Sequence, residues 1–250
     1  MAKRSRPRNF IHLIAASIAA WQFAATAQLD GTAMAMDSVP VPRPVMVYHS
    51  RGACNGVVLA QDLVLTAAHC IVNRDNFKIT GFIDNTLYSL ADVAAAELHP
   101  QYIAPTATVP KADLALLRLM KPLRTFGPAL LITRPVALGD RVEVVGREPP
   151  IGSSETPTER TDRAVFLVAG VESYTLSLVE QLGRGEVRRL GAWCYGFSGA
   201  PVFAIRARIP QLAGILRGGD CNGYLVATPI APFREWIAES AKRLGSSFGL

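Results

Sequence analysis

Apolar residues in this chain come in runs too short for a helix of several turns, and that shortness constrains the fold more than any other feature. The runs cover residues 57–59, 63–66, 77–81, 114–119, 142–145, 164–168, 174–178, 201–204, 212–216 and 224–228, with glycine and proline punctuating the intervals. A buried helix needs apolar positions at i, i+3 and i+4 sustained over ten or more residues, whereas short apolar or alternating runs bounded by turn residues are strands. The chain is therefore predicted to be all-β, a barrel or a sandwich. The exception is the C-terminal tail, where Ile230, Phe233, Ile237, Ala241 and Leu244 recur at helical spacing.

The N-terminal segment is built differently. Lys3, Arg4, Arg6 and Arg8 precede an apolar run from Phe10 to about Ala25, and small residues follow at Ala25-Thr26-Ala27. A cationic start, an apolar stretch and a small-residue cleavage site make a secretory signal, expected over residues 1–27. The apolar run is shorter than the roughly 20 residues a spanning helix prefers, and no later stretch is long and apolar enough to span a bilayer. The formal charge of +6 belongs largely to this segment. Without its four basic residues the balance is 26 − 4 basic against 20 acidic side chains, or +2, which gives little support for a nucleic-acid partner. Residues 28–44 follow as an exposed lead-in, because the prolines of Val39-Pro40-Val41-Pro42-Arg43-Pro44 remove the backbone donors that a central strand or a helix interior needs. The polar stretch 148–160 is expected to be a surface loop.

Three segments carry chemistry: Thr66-Ala67-Ala68-His69-Cys70, the run from Ala112-Asp113 into Leu114-Ala115-Leu116-Leu117, and Cys194-Tyr195-Gly196-Phe197-Ser198-Gly199-Ala200-Pro201. They supply a histidine, an aspartate and a serine. A serine hydroxyl is a weak nucleophile at neutral pH; it needs a base, and the base needs a carboxylate to fix its tautomer. Four cysteines suit an oxidising compartment and allow three pairings, among which the sequence by itself does not choose. Their spacing offers no CxxC metal motif, and neither a metal nor an organic cofactor is expected.

In these motifs, and in Leu63-Val64-Leu65 leading into the histidine and Leu98-His99-Pro100-Gln101-Tyr102 preceding the aspartate strand, the region from about Val45 to Leu250 resembles the trypsin-like (chymotrypsin-fold) serine proteases, of a bacterial exported type. The order His, Asp, Ser and the separations between them suit two consecutive barrels. The resemblance implies two six-stranded antiparallel β-barrels and a C-terminal α-helix docked on the second, with residues 45–135 forming the first barrel and 136–250 the second barrel and helix. It implies His69 as general base, Asp113 as its orienting acid, Ser198 as nucleophile, and the backbone amides of Gly196 and Ser198 as an oxyanion hole, glycine permitting the unusual dihedrals that this requires. It pairs Cys54 with Cys70 and Cys194 with Cys221. It lines the substrate pocket with Ala192, Arg217, Gly218, Gly219 and Leu225. The other histidines, His12, His49 and His99, are expected to be structural or, for His12, part of the signal.

The chain departs from the family pattern at three places. Phe197 stands where the family has an aspartate that pairs with a new N-terminal ammonium after zymogen cleavage, so that ion pair cannot form. Arg217 stands where a serine usually supports the catalytic aspartate, and Gly218 where a tryptophan usually walls the pocket. The expected activity is endopeptidase hydrolysis through an acyl-enzyme; the alternative is a protease-like binding module with little or no turnover. The expected partner is a protein or peptide substrate, with no nucleic acid and no stable membrane association after signal removal. The expected location is periplasmic or secreted. Oligomeric state is not legible.

Overall fold

The computed structural model describes residues 42–83, 86–102, 111–147, 161–183 and 196–249. The expected signal segment, the loop over 148–160, Ala192 and Cys194 lie outside them.

Six strands close the first barrel: β1 (Val45–His49), β2 (Gly52–Ala60), β3 (Leu63–Thr66), β4 (Lys78–Ile83), β5 (Thr86–Leu98) and β6 (Ala115–Leu119), in the spatial order β1-β2-β3-β6-β5-β4. All neighbours are antiparallel. All four residues of β3 are buried, which is why it reads as an uninterrupted apolar run rather than an alternating one. β5 is the opposite case: mostly exposed along 13 residues, it shows no apolar signature, yet it pairs with both β4 and β6. Register shifts at Ile79/Thr80 and Val93/Ala95 bend these strands, which lets β5 serve both neighbours as the sheet closes.

After a short β7 (Leu130–Leu131), the second barrel follows with β8 (Arg141–Arg147), β9 (Thr161–Glu172), β10 (Thr175–Glu180), β11 (Pro201–Arg206), β12 (Ile209–Gly219) and β13 (Tyr224–Pro229). The order is β11-β8-β9-β10-β13-β12, closed by the β11–β12 pairing, with β7 lying parallel beside β12. One apolar cluster runs through both barrels, and includes Leu65, Leu116, Phe166, Phe203 and Ile215, each wholly buried. Such a side chain contributes about 1.5 to 3 kcal/mol relative to exposure. Two six-stranded antiparallel barrels and a terminal helix are thus the architecture, as the sequence resemblance implied.

The helix α1 (Arg234–Arg243) adds to one expectation: its side chains also reach the first barrel. Ser240 Oγ and Arg243 Nη2 donate to Glu97 on β5 at 2.8 and 2.6 Å, and Trp236 and Phe233 pack on the buried ring of His99 at 4.7 and 4.9 Å between centroids. Arg234 donates to the carbonyls of Leu131 and Ile132 in the segment joining the barrels. Helical periodicity defines an apolar face without naming what covers it; here His99 packs on Phe233 and Trp236, while Glu97 takes the polar side chains Ser240 and Arg243. Among the described residues, no helix is long and apolar enough to cross a membrane.

Candidate active site

His69, Asp113 and Ser198 each lie just outside a strand end, where the two barrels meet. β3 ends at Thr66, and a 3₁₀ turn over Ala68–Cys70 presents His69 between the buried residues Ala68 and Cys70. The Cys54–Cys70 disulfide ties this turn to β2, so the expected pairing of those two cysteines is present. Cys221 is disulfide-bonded as well, while its expected partner, Cys194, lies outside the described residues. Cys54, His69 and Cys70 also form a compact group of potential metal donors, but its two sulfurs are bonded to each other and offer no thiolates.

Asp113 precedes β6 in a three-residue turn closed by Leu114 N–H donating to Ala112 C=O at 2.8 Å. Ala112 takes a left-handed φ of 47°, a conformation that costs an L residue about 1 to 2 kcal/mol. That turn aims the carboxylate at His69. Asp113 Oδ1 accepts the His69 backbone N–H at 2.9 Å and Oδ2 lies 2.7 Å from His69 Nδ1. The carboxylate is 1% exposed and the imidazole 27%. Because Asp113 can only accept while ionised, this pairing keeps the ring proton on Nδ1 and leaves Nε2 as the base. Nε2 is 3.7 Å from Cys70 Sγ. Tyr102 stands nearby, its phenol pushed up to about 12 by burial and by the negative charge of Asp113, with Arg74 opposing.

Ser198 occupies a turn in which Gly196 and Gly199 have φ of 79° and 83°. Gly199 could not carry a side chain: a Cβ there would lie 2.0 Å from Asn55 O and 2.5 Å from Thr66 Oγ1. Ala200 N–H donates to Phe197 C=O at 3.0 Å and Gly199 N–H to Leu216 C=O at 2.8 Å, which fixes the turn against β12. Phe197 is 3% exposed and belongs to the common apolar cluster, its ring filling the space above Gly146. Ser198 Oγ donates to the carbonyl of Arg217 at 3.3 Å rather than to His69 Nε2. The structure thus joins His69 to Asp113 and sets the serine hydroxyl on a different acceptor.

Arg217 is the residue skipped by the register between Leu216 and Gly218, a bulge in the β12–β13 ladder that turns its carbonyl toward Ser198. Its guanidinium donates to Thr175 Oγ1 at 3.0 Å. Burial holds it below the usual arginine value, opposed by the negative charges of Asp113 and Glu172. Gly218 faces open space, whereas a Cβ on Gly219 would meet Tyr224 O and Leu225 Cδ2 at 2.4 and 2.6 Å. Leu225 is buried against that glycine. Ala192 lies outside the described residues.

One residue at this seam is missing from the sequence reading. Asn55, wholly buried on β2, bonds to both Gly196 and Ser198. Its signal was present, a lone amide inside Cys54-Asn55-Gly56-Val57-Val58-Leu59, but nothing in the sequence tells which backbone it faces.

The family model described as Trypsin matches residues 31–237. The chain belongs to the trypsin family. It is 25% identical over 240 residues to a trypsin of Sarcophaga bullata, covering 86% of this chain and 89% of that protein. Among solved structures it resembles neuropsin, a serine protease expressed in the limbic system of mouse brain, with a TM-score of 0.61 at 19% identity over 80% of this chain and 94% of the other. It also resembles a scabies mite inactivated protease paralogue, with a TM-score of 0.61 at 20% identity over 83% and 96% of the two chains. These structural likenesses establish the chymotrypsin fold; family membership implies peptide substrates.

Proposed function

We propose that this protein is an exported serine endopeptidase. The observation that carries the reading is the buried Asp113 carboxylate holding both the backbone N–H and Nδ1 of His69, which leaves Nε2 as the base. In the proposed reaction the Ser198 hydroxyl turns from Arg217 C=O to His69 Nε2, gives up its proton there and attacks the substrate carbonyl. The amides of Gly196 and Ser198 receive the developing oxyanion, His69 returns the proton to the leaving amine, and water hydrolyses the acyl-enzyme by the same exchange in reverse. Leu225 beside Gly219, together with the uncharged Ala192, favours small or medium apolar residues before the cut bond. Residues 1–27 direct export, and a Cys194–Cys221 bridge braces the nucleophile segment in the oxidising compartment.

A second reading, a protease-like binding module, is supported by the serine hydroxyl resting on Arg217 C=O and by the Arg217 guanidinium near the cleft. One neighbour in fold is an inactivated protease paralogue. A fluorophosphonate probe separates the two readings. Covalent labelling of Ser198 that is lost in His69→Ala supports the endopeptidase, and absence of labelling in the wild type supports the module.

A further inference from the structure

We infer that Asn55 is the positioning residue of the Gly196–Ser198 turn, an inference that rests on the endopeptidase reading. Asn55 is wholly buried, and every backbone and side-chain polar group it carries is engaged. Its Nδ2 donates to Gly196 C=O at 2.7 Å and to Arg147 C=O at 2.9 Å, and its Oδ1 accepts Arg147 N–H at 2.8 Å. The reciprocal bonds with the Arg147 backbone settle the orientation of the amide. Flipped, it would set Oδ1 against two carbonyl oxygens and Nδ2 against an N–H. The backbone N–H of Asn55 donates to Ser198 C=O at 2.6 Å, and its carbonyl accepts Thr66 Oγ1 at 2.7 Å.

The two carbonyls gripped are the ones that matter for the proposed chemistry. Gly196 C=O belongs to the peptide unit lying between the two amides assigned to the oxyanion hole, and Ser198 C=O belongs to the unit that follows. With both held by one residue, the peptide unit that carries the Ser198 amide is flanked by two pinned units, and the carbonyl side of Gly196, the other donor residue, is fixed as well. Donors aimed in advance, with no reorganisation during the reaction, are what oxyanion stabilisation requires. Gly199 lets β2 approach closely enough for this grip, since any side chain there would strike Asn55 O. With Phe197 in place of a carboxylate, no ion pair can hold the turn from below. The apolar restraint comes from Phe197 and the polar one from Asn55, which reaches across from the other barrel.

The test uses the full chain with Asn55→Ala and Asn55→Asp. The aspartate keeps the size and the acceptor for Arg147 N–H, but sets an oxygen against Gly196 C=O. For each protein, kcat per titrated site, KM for a peptide amide and the affinity for a peptidyl boronate are measured. Removing an oxyanion donor outright costs about 100- to 1,000-fold in kcat, so mispositioning the donors should lower kcat by about 10- to 100-fold. KM should stay within about twofold, and boronate affinity should fall in parallel with kcat. A wild-type measurement covers a variant that fails to fold: the Asn55 side-chain amide protons should exchange far more slowly than those of the exposed Asn222. Wild-type kcat and boronate affinity in both variants, or Asn55 exchange as fast as that of Asn222, would overturn the positioning role alone. A wild type that neither hydrolyses peptides nor labels at Ser198 would overturn both this role and the endopeptidase reading.

Discussion

Phe197 takes over, by packing, a task that the family pattern gives to a charge, and Phe197→Ala should expose how much of the turn depends on it. The ring is almost fully buried, and a Cβ on Gly146 would lie 2.5 Å from Phe197 Cδ1. Glycine at 146 leaves the space that the ring fills, so removing the ring opens a cavity that Gly146 cannot close. Truncating a buried phenylalanine costs about 3 to 5 kcal/mol. In a chain of this size each kcal/mol shifts the unfolding midpoint by about 2 to 4 °C, so the midpoint should fall by about 6 to 20 °C. The variant should nonetheless fold at 25 °C if the wild type's stability, about 5 to 15 kcal/mol for ordinary domains, lies above the lower end of that range. Gly146→Ala alone should cost about 1 to 3 kcal/mol by overpacking the ring, yet in the Phe197→Ala background the added methyl enters the cavity and should be neutral or stabilising. Circular-dichroism melts of the four proteins measure this coupling. A midpoint within about 2 °C of wild type for Phe197→Ala, or additive effects in the double variant, would refute the packing account.

Because Phe197 has no charge to pair with an ammonium, the fraction of titratable sites should not change after limited proteolysis in the lead-in near Pro42; a large rise that requires a new N-terminus contradicts this. Losing the Cys54–Cys70 bridge should cost about 2 to 5 kcal/mol, and non-reducing peptide maps should pair Cys194 with Cys221; any other pairing, or free thiols, rejects the assignment. Burial lowers the values of His99 and His49 below 6.5. The unfolded chain therefore binds these protons first, so stability should be full above about pH 6.5 and fall as pH drops below it. His99→Gln should flatten that slope, and an unchanged slope means that His99 is not the proton acceptor. A peptide-library profile should favour small or medium apolar residues before the cut bond, and dominance by arginine or lysine means that the pocket assignment at Leu225 is wrong.

The strands that bury both faces or alternate cleanly were legible from apolar runs alone; β3, β6, β8 and β11 are examples. β5 was not, because its barrel role rests on backbone pairing to β4 and β6 while most of its side chains face solvent. β1 was hidden behind the proline lead-in, and β7 has only two residues. The barrels and the candidate triad came from resemblance, since three short motifs in order say more than composition does. That the terminal helix also reaches the first barrel was not legible, for want of any local signal pointing to Glu97. Asn55 could not be placed because its partners lie 92 and 141 residues away in the chain. The partner of the Ser198 hydroxyl depends on a bulge at Arg217, which residue types do not encode.

The most direct measurement is peptide hydrolysis by Ser198→Ala, His69→Ala and the double variant. Residues that act as one unit lose their effect together. Each single variant should remove nearly all hydrolysis, and the double should lose little more than either alone. Wild-type turnover in Ser198→Ala, or losses that multiply in the double variant, would contradict catalysis by a coupled serine and histidine.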